Sequence, residues 1–267
     1  MIKTDFHIHS SFSHDSKDDP VTMIESAIEK GFSIICFTDH VDLDFPEQII
    51  TFDTAEYTTY ITKLREEYKK HIEVRMGVEV GVQPHVSLEN NVFVESAPFD
   101  FVIASTHVIR GLRPKLQQFS EYKERYDLKE GMRVFLEETL INIKKFHNFD
   151  VYGHLDYLST CTYEGTPFSY QDNRELTDEI LKLLIEKGKG LELNTRLVKK
   201  YEMGSPCKEV LIRYRELGGE IITLGSDTHT HQNLGNNIEW GMEHLKECGF
   251  RYFTVYKERK PEYIKLE

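Results

Sequence analysis

Histidines and carboxylates recur in this sequence at the ends of short apolar runs, where metal ions could be held. Asp5-Phe6-His7-Ile8-His9 stands near the start, and Gly225-Ser226-Asp227-Thr228-His229 follows the run Ile221-Ile222-Thr223-Leu224. Between them come Thr38-Asp39-His40, Gly77-Val78-Glu79, Ser105-Thr106-His107, Gly153-His154 with Asp156, and Asn194. In a strand, residues i and i+2 point to one face, so the imidazoles of His7 and His9 can meet one ion. Glu79 and Asp227 are carboxylates able to bridge neighbouring ions. Imidazole and carboxylate donors without thiolate suit zinc, iron or manganese. Singly, each residue has a plainer reading as a helix cap or a core histidine; the joint placement points to a metal cluster. His71, His147 and His244 fall in helical patterns and read as surface residues, while His85 and His231 lie in loops.

Short runs rich in Val, Ile and Phe must position these groups. Candidate strands are 2–6, 33–38, 73–80, 99–105, 150–153, 190–194 and 220–224, each apolar enough to be covered on both faces. Helices fit the gaps. Asp19-Pro20 supplies a cap and a first-turn proline, the stripe Val21, Ile24, Ala27 and Ile28 follows, and Gly31 stops it. Segments 53–70, 129–147, 173–187, 205–217 and 238–248 read similarly, with glycine stops at Gly188 and Gly218-Gly219. Alternation of strand and helix implies parallel strands joined by right-handed crossovers. Seven strands rather than eight predict an α/β barrel that is distorted or incompletely closed. In such barrels the site forms at the C-terminal ends of the strands, where every polar group above falls. Residues 108–128 are the least periodic stretch and read as a long loop over the mouth.

The chain has 267 residues, 39% hydrophobic and 29% charged, which suits one large barrel of about 250 residues. No apolar run approaches the roughly 20 residues needed to span a bilayer, and the first residues lack a secretory pattern. A cytoplasmic protein without a membrane partner is expected. Four scattered cysteines, with no C-x-x-C pair, argue against disulfides and a thiolate zinc site; Cys36 reads as a buried small hydrophobe. A formal charge of -12 argues against a nucleic-acid partner but not against a phosphorylated small molecule, since bound ions reverse the local field. The oligomeric state is not legible.

With those motifs assembled, the sequence resembles the PHP family, named for polymerase and histidinol phosphatase domains, in its stand-alone histidinol-phosphatase branch. The motifs His7-x-His9, Thr38-Asp39-His40, Gly77-Val78-Glu79, His107, His154 and Gly225-Ser226-Asp227-Thr228-His229 stand in the family's order across nearly the whole chain. The resemblance implies a distorted (β/α)7 TIM-like barrel, one domain over 1–267, holding three divalent ions, zinc favoured over iron or manganese. It implies that His7, His9, Glu79 and Asp227 hold the first ion. Glu79 also reaches the second, with His107 and His154. His40 and His229 hold the third, with one ligand from the loop after the first strand. Some members have a histidine there; counting from His9 the position falls on Asp15, with His14 beside it, and Asp15 is the expected ligand.

The expected reaction is hydrolysis of a phosphate monoester, L-histidinol phosphate within this branch. Two ions about 3.5–4 Å apart can hold a bridging hydroxide in line with phosphorus, with no covalent intermediate. A third neutralises charge on the phosphoryl or leaving oxygens. Glu79, Asp227, Asp39 and Asp156 are the expected catalytic carboxylates; Asp39 and Asp156 either orient ligating histidines or protonate the leaving alkoxide. Asn194 and Arg196 are placed to contact the phosphate, and Tyr157, Tyr163 and Phe168 are rim candidates for a cationic amino alcohol. Alternatives are a related phosphoesterase acting on nucleotides or other phosphorylated metabolites, a metal-dependent amidohydrolase, and a non-catalytic metal-binding module. An amidohydrolase would favour a carboxylated lysine where this chain has Glu79.

Overall fold

The computed structural model describes residues 2–46, 48–112, 119–158 and 168–266. Its strands are β1 (Thr4–Ile8), β2 (Ile34–Phe37), β3 (His40–Phe45), β4 (Gln48–Ile50), β5 (Glu73–Gly81), β6 (Phe101–Ser105), β7 (Val151–Tyr152), β8 (Gly190–Asn194), β9 (Ile222–Gly225), β10 (Tyr252–Lys257) and β11 (Lys260–Lys265). The helices are α1 (Pro20–Glu29), α2 (Thr54–Tyr68), α3 (Ser87–Glu95), α4 (Phe119–Arg125), α5 (Leu128–Lys145), α6 (Arg174–Glu186), α7 (Val198–Tyr201), α8 (Lys208–Glu216) and α9 (Ile238–Glu247). Seven strands run parallel in the order β1-β2-β5-β6-β7-β8-β9. The ring nearly closes: Ile8 bridges to Thr228, and the His9 N–H donates to the Thr228 carbonyl at 2.9 Å. The distorted seven-stranded barrel expected from the alternation is therefore the fold.

The strands form where sequence and burial agree. Every residue of β1, β6 and β8 is buried, as parallel strands covered by helices must be. Inside the ring Phe6 meets Phe101 edge to face at 5.4 Å. Asp19 and Asp53 cap α1 and α2, accepting backbone N–H groups of the first turn.

Elements that the periodicity did not reveal have identifiable causes. Segment 40–50 forms an antiparallel pair, β3 with β4, and β3 also joins β5 in parallel. Helix α3 inverts the expected pattern: Leu88 and Val92 are exposed while Asn90 is buried, and no side chain caps its start. The expected loop over 108–128 is corrected to include α4, anchored by the buried Tyr122 hydroxyl donating to the Gly131 carbonyl at 2.8 Å. Residues 113–118 of that stretch lie outside the described residues.

The hairpin β10–β11 covers the end of the barrel opposite the strand C-termini. Its two-residue turn, Glu258-Arg259, has both residues left-handed, φ 49° and 63°, without the Asn-Gly or Asp-Gly signature such turns favour. That conformation costs about 1–2 kcal/mol per non-glycine residue, and contacts to the barrel offset it. The Glu258 N–H donates to Asp100 at 3.0 Å, and Arg259 Nε donates to the buried Asp150 at 2.6 Å. Burial pushes the Asp150 carboxyl up, against the Arg259 guanidinium. With its pKa raised on folding, ionised Asp150 is an increasing liability as pH rises through the carboxylate range. Arg259→Ala leaves that charge unpaired, so at pH 8 it should lose about 3 kcal/mol. At pH 4.5, where the carboxyl takes up a proton more readily, the loss should be smaller. Thermal unfolding at the two pH values checks this; an equal loss at both would contradict it.

Candidate metal centre

Each barrel strand brings a ligand-type group to one rim, and Glu79 lies at its middle. Glu79 is 1% exposed and sits inside β5, two residues before the strand ends rather than at its end. The parallel register of β3 on β5 sets His40 beside it. Oε2 of Glu79 faces His40 Nδ1 at 2.9 Å, His7 Nε2 at 3.2 Å and His9 Nε2 at 3.6 Å. Oε1 faces His154 Nε2 at 2.8 Å and His107 Nε2 at 3.2 Å, and accepts from Ser105 Oγ at 2.7 Å. One carboxylate thus divides five imidazoles into two groups.

Asp227 and Asp15 extend the cluster. Asp227 Oδ1 lies 3.4 Å from His9 Nε2, 3.6 Å from His229 Nδ1 and 3.9 Å from His7 Nε2. Asp15 Oδ2 lies 2.9 Å from His229 Nε2 and 3.8 Å from His40 Nε2. His14 points its Nδ1 toward Asp15 Oδ1 at 3.7 Å, with its ring 5.7 Å from that of His40. The residues aiming groups into the cluster include two non-glycines in left-handed backbone, Asp227 at φ 50° and His154 at φ 26°. Such strain, of order 1–3 kcal/mol each, is characteristic of functional sites.

The donor set fits divalent cations. Nε2 of His7, His9 and His229, Nδ1 of His40 and His154, and Oε2 of Glu79 are buried without a hydrogen-bond partner. Leaving such groups unmatched costs about 1–3 kcal/mol apiece. Among the described residues, four sets of donors have atoms within 4.8 Å of one another: His7-His9-Glu79, Glu79-His107-His154, His9-His40-His229 and His40-Asp42-His107. Electrostatics agree. Burial alone would lower His7 and His107, yet the carboxylates around them, Glu192 and Glu79 for one and Asp42 and Glu79 for the other, raise both well above the usual imidazole range. His9 is pushed well below that range by burial, then by His40 and His229. Glu79 and Asp227 stay well below the carboxylate range despite burial, Glu79 through the imidazoles around it and Asp227 through Arg196 and then its imidazoles.

Three supporting residues escaped the sequence reading. Glu192 Oε1 lies 2.5 Å from His7 Nδ1, Asp42 Oδ1 2.9 Å from His107 Nδ1, and Ser13 Oγ 3.1 Å from His9 Nδ1. Ser13 donates to Asp39 at 2.9 Å, so it accepts from His9, which puts the His9 proton on Nδ1 and leaves Nε2 bare. A lone charge inside the apolar run Gly190-Leu191-Glu192-Leu193 was the available signal for Glu192. Asp39 accepts from Ser10 and Ser13 and so reaches His9 through a hydroxyl. Asp156, pushed up by burial to about 6, accepts from Ser205 Oγ and from the Cys207 N–H at 2.7 Å.

A family model described as PHP domain matches residues 5–196. The chain belongs to the PHP domain family. Histidinol-phosphatase from Lactococcus lactis subsp. lactis (strain IL1403) is 35% identical, over 97% of this chain and 96% of its own. Histidinol-phosphatase from Bacillus subtilis (strain 168) is 27% identical, over 91% and 99%. The crystal structure of histidinol phosphate phosphatase from Lactococcus lactis subsp. lactis Il1403, complexed with Zn, L-histidinol and phosphate, matches with a TM-score of 0.89. Its identity is 34%, and the match covers 97% of this chain and 98% of that one.

Beside the cluster, this PHP domain has a small recess lined by His154, Tyr157, Asn194, Arg196, Met203 and Asp227 among others. Arg196 NH1 donates to Asp227 Oδ1 at 2.9 Å, and Asn194 Nδ2 to Asp227 Oδ2 at 3.2 Å. The Tyr157 ring lies 4.8 Å from that of His154. Phe168, a rim candidate from sequence, is instead buried in the core, because its side chain packs among apolar groups. Tyr163 lies outside the described residues. His85 and His231 stand away from the cluster, paired with Asp44 and Asp18. Among the described residues no helix is long and apolar enough to cross a membrane.

Proposed function

We propose that this chain hydrolyses L-histidinol phosphate to L-histidinol and phosphate at a cluster of three divalent ions, zinc favoured. The observation that carries the reading is the convergence of five imidazoles on the two oxygens of Glu79, in a chain whose relative is complexed with Zn, L-histidinol and phosphate. His7, His9, Asp227 and Glu79 Oε2 would hold the first ion, and Glu79 Oε1, His107 and His154 the second. Asp15, His40 and His229 would hold the third; the 2.9 Å approach of Asp15 to His229 favours it over His14. When bound, such ions supply an ionised water near neutral pH and neutralise charge on phosphoryl oxygens.

The chain's own residues do the rest. Arg196 and Asn194, which now satisfy Asp227, face the recess and are placed to bind phosphate oxygens; the planar guanidinium suits them. Asp39 holds the ligand loop 9–16 through Ser10 and Ser13, and Asp156 ties the loop after β7 to Ser205 and Cys207. Tyr157 offers a ring beside His154 for the organic part of the substrate.

Phosphate release from a panel of monoesters tests the reading. L-Histidinol phosphate should exceed nucleoside monophosphates and phosphotyrosine by about 10²-fold or more in kcat/KM, the range that matched polar contacts deliver. Equal turnover of nucleotides would favour the broader phosphoesterase, and no turnover with metal bound would favour a binding module.

A further inference from the structure

We propose that Glu192 and Asp42 are positioning residues of the metal centre, and that Gly81 and Gly225 lack side chains because those two carboxylates fill the space. The inference rests on the metal-centre reading above and says what holds its imidazoles in place. Both carboxylates are buried, Glu192 1% and Asp42 2% exposed. Glu192 gathers three strand ends. Its Oε1 meets His7 Nδ1 at 2.5 Å, and its Oε2 accepts the His154 N–H at 3.1 Å and Asn194 Nδ2 at 3.3 Å. Asp42 receives His107 Nδ1 on both oxygens, at 2.9 and 3.2 Å. An ionised carboxylate only accepts, so both Nδ1 atoms carry protons. The opposite edge of each ring, Nε2, is thereby aimed at Glu79, at 3.2 Å in both cases.

These two glycines have a steric reason rather than a conformational one, since neither has a positive φ. A Cβ on Gly81 would lie 1.7 Å from Asp42 Oδ1 and 2.2 Å from its Cγ. The register that pairs His40 with Glu79 and Val41 with Val80 brings Asp42 across from Gly81. A Cβ on Gly225 would lie 2.4 Å from both Glu192 Oε1 and His7 Cβ. Glycine at these strand ends leaves a slot, and a carboxylate that orients a ligand occupies it. Partners of this kind fix ring orientation and tautomer, and losing one commonly weakens metal binding 10- to 100-fold.

The test loads the full chain with zinc, dialyses it against graded chelator and measures zinc per chain. Asp42→Asn and Glu192→Gln should each hold zinc about 10- to 100-fold more weakly than the parent, with unchanged far-UV circular dichroism. Gly81→Ala should match Asp42→Asn. In an Asp42→Ala background, Gly81→Ala should add nothing, because the atoms it would strike are gone; losses that simply add would overturn the steric link. The imidazole Nδ1 proton resonance of His107 in the zinc-loaded protein should shift in Asp42→Asn and Gly81→Ala, which a general loss of stability would not cause. Parent-like zinc retention in both Asp42→Asn and Glu192→Gln overturns the proposal while the metal centre stands. A parent chain that takes up no zinc overturns the metal centre itself.

Discussion

Glu79→Gln is expected to lose bound metal and turnover together, with kcat/KM falling by at least about 10³-fold. The amide has nearly the same shape, so the effect isolates charge and donor type. Oε2 is buried and unpartnered while three imidazole nitrogens face it, and Oε1 faces two more. An amide can present oxygen to one group only; its NH₂ would confront nitrogens on the other side and can ligate nothing there. Elemental analysis of the purified variant beside steady-state phosphate release checks the pair of effects. Wild-type metal content with wild-type rate in Glu79→Gln would remove the reason for placing this residue at the centre.

Chelation should abolish turnover, zinc should restore it, and stripping should be easier at pH 6 than at pH 8. Ligating imidazoles must give up protons, so metal affinity falls with pH. His7 and His107 make this dependence persist above neutrality. Burial opposes their charge, but the carboxylates facing them raise both well above the ordinary 6.5. The metal-free protein carries the opposite slope. A histidine whose pKa rises on folding contributes stability in full below the unfolded value and loses it as pH climbs through the folded one. Between pH 7 and 9 the apo chain should therefore melt progressively lower, whereas the zinc-loaded chain should hold or gain. Parallel pH profiles for the two forms would contradict the protonation assigned to these imidazoles.

The barrel and the ligand-type residues at its rim were legible in the amino-acid sequence. Parallel strands covered on both faces are written as short runs of Ile, Val and Phe, and the polar residue that ends each run marks the rim. His7, His9, His40, Glu79, His107, His154, Asp227 and His229 stand out for that reason, and the structure brings them together. The capped helices α1 and α2 were equally plain, since a cap is a local signal. The hairpin β10–β11 was not, because its turn residues oppose their own backbone preference and are held by Asp100 and Asp150, the residues just before β6 and β7.

What the chain alone determined is thus an inventory: seven strands, six helices and the chemical types delivered to the strand ends. The tertiary structure decided the pairings. Glu192 and His7 are 185 residues apart, and Asp42 and His107 are 65 apart, so no local pattern marks them as partners. The 2.9 Å approach of Asp15 to His229 likewise follows from how one loop folds back across the mouth. A buried carboxylate is legible as a positioning group only when the ring it holds, and the glycine that leaves it room, are seen in space.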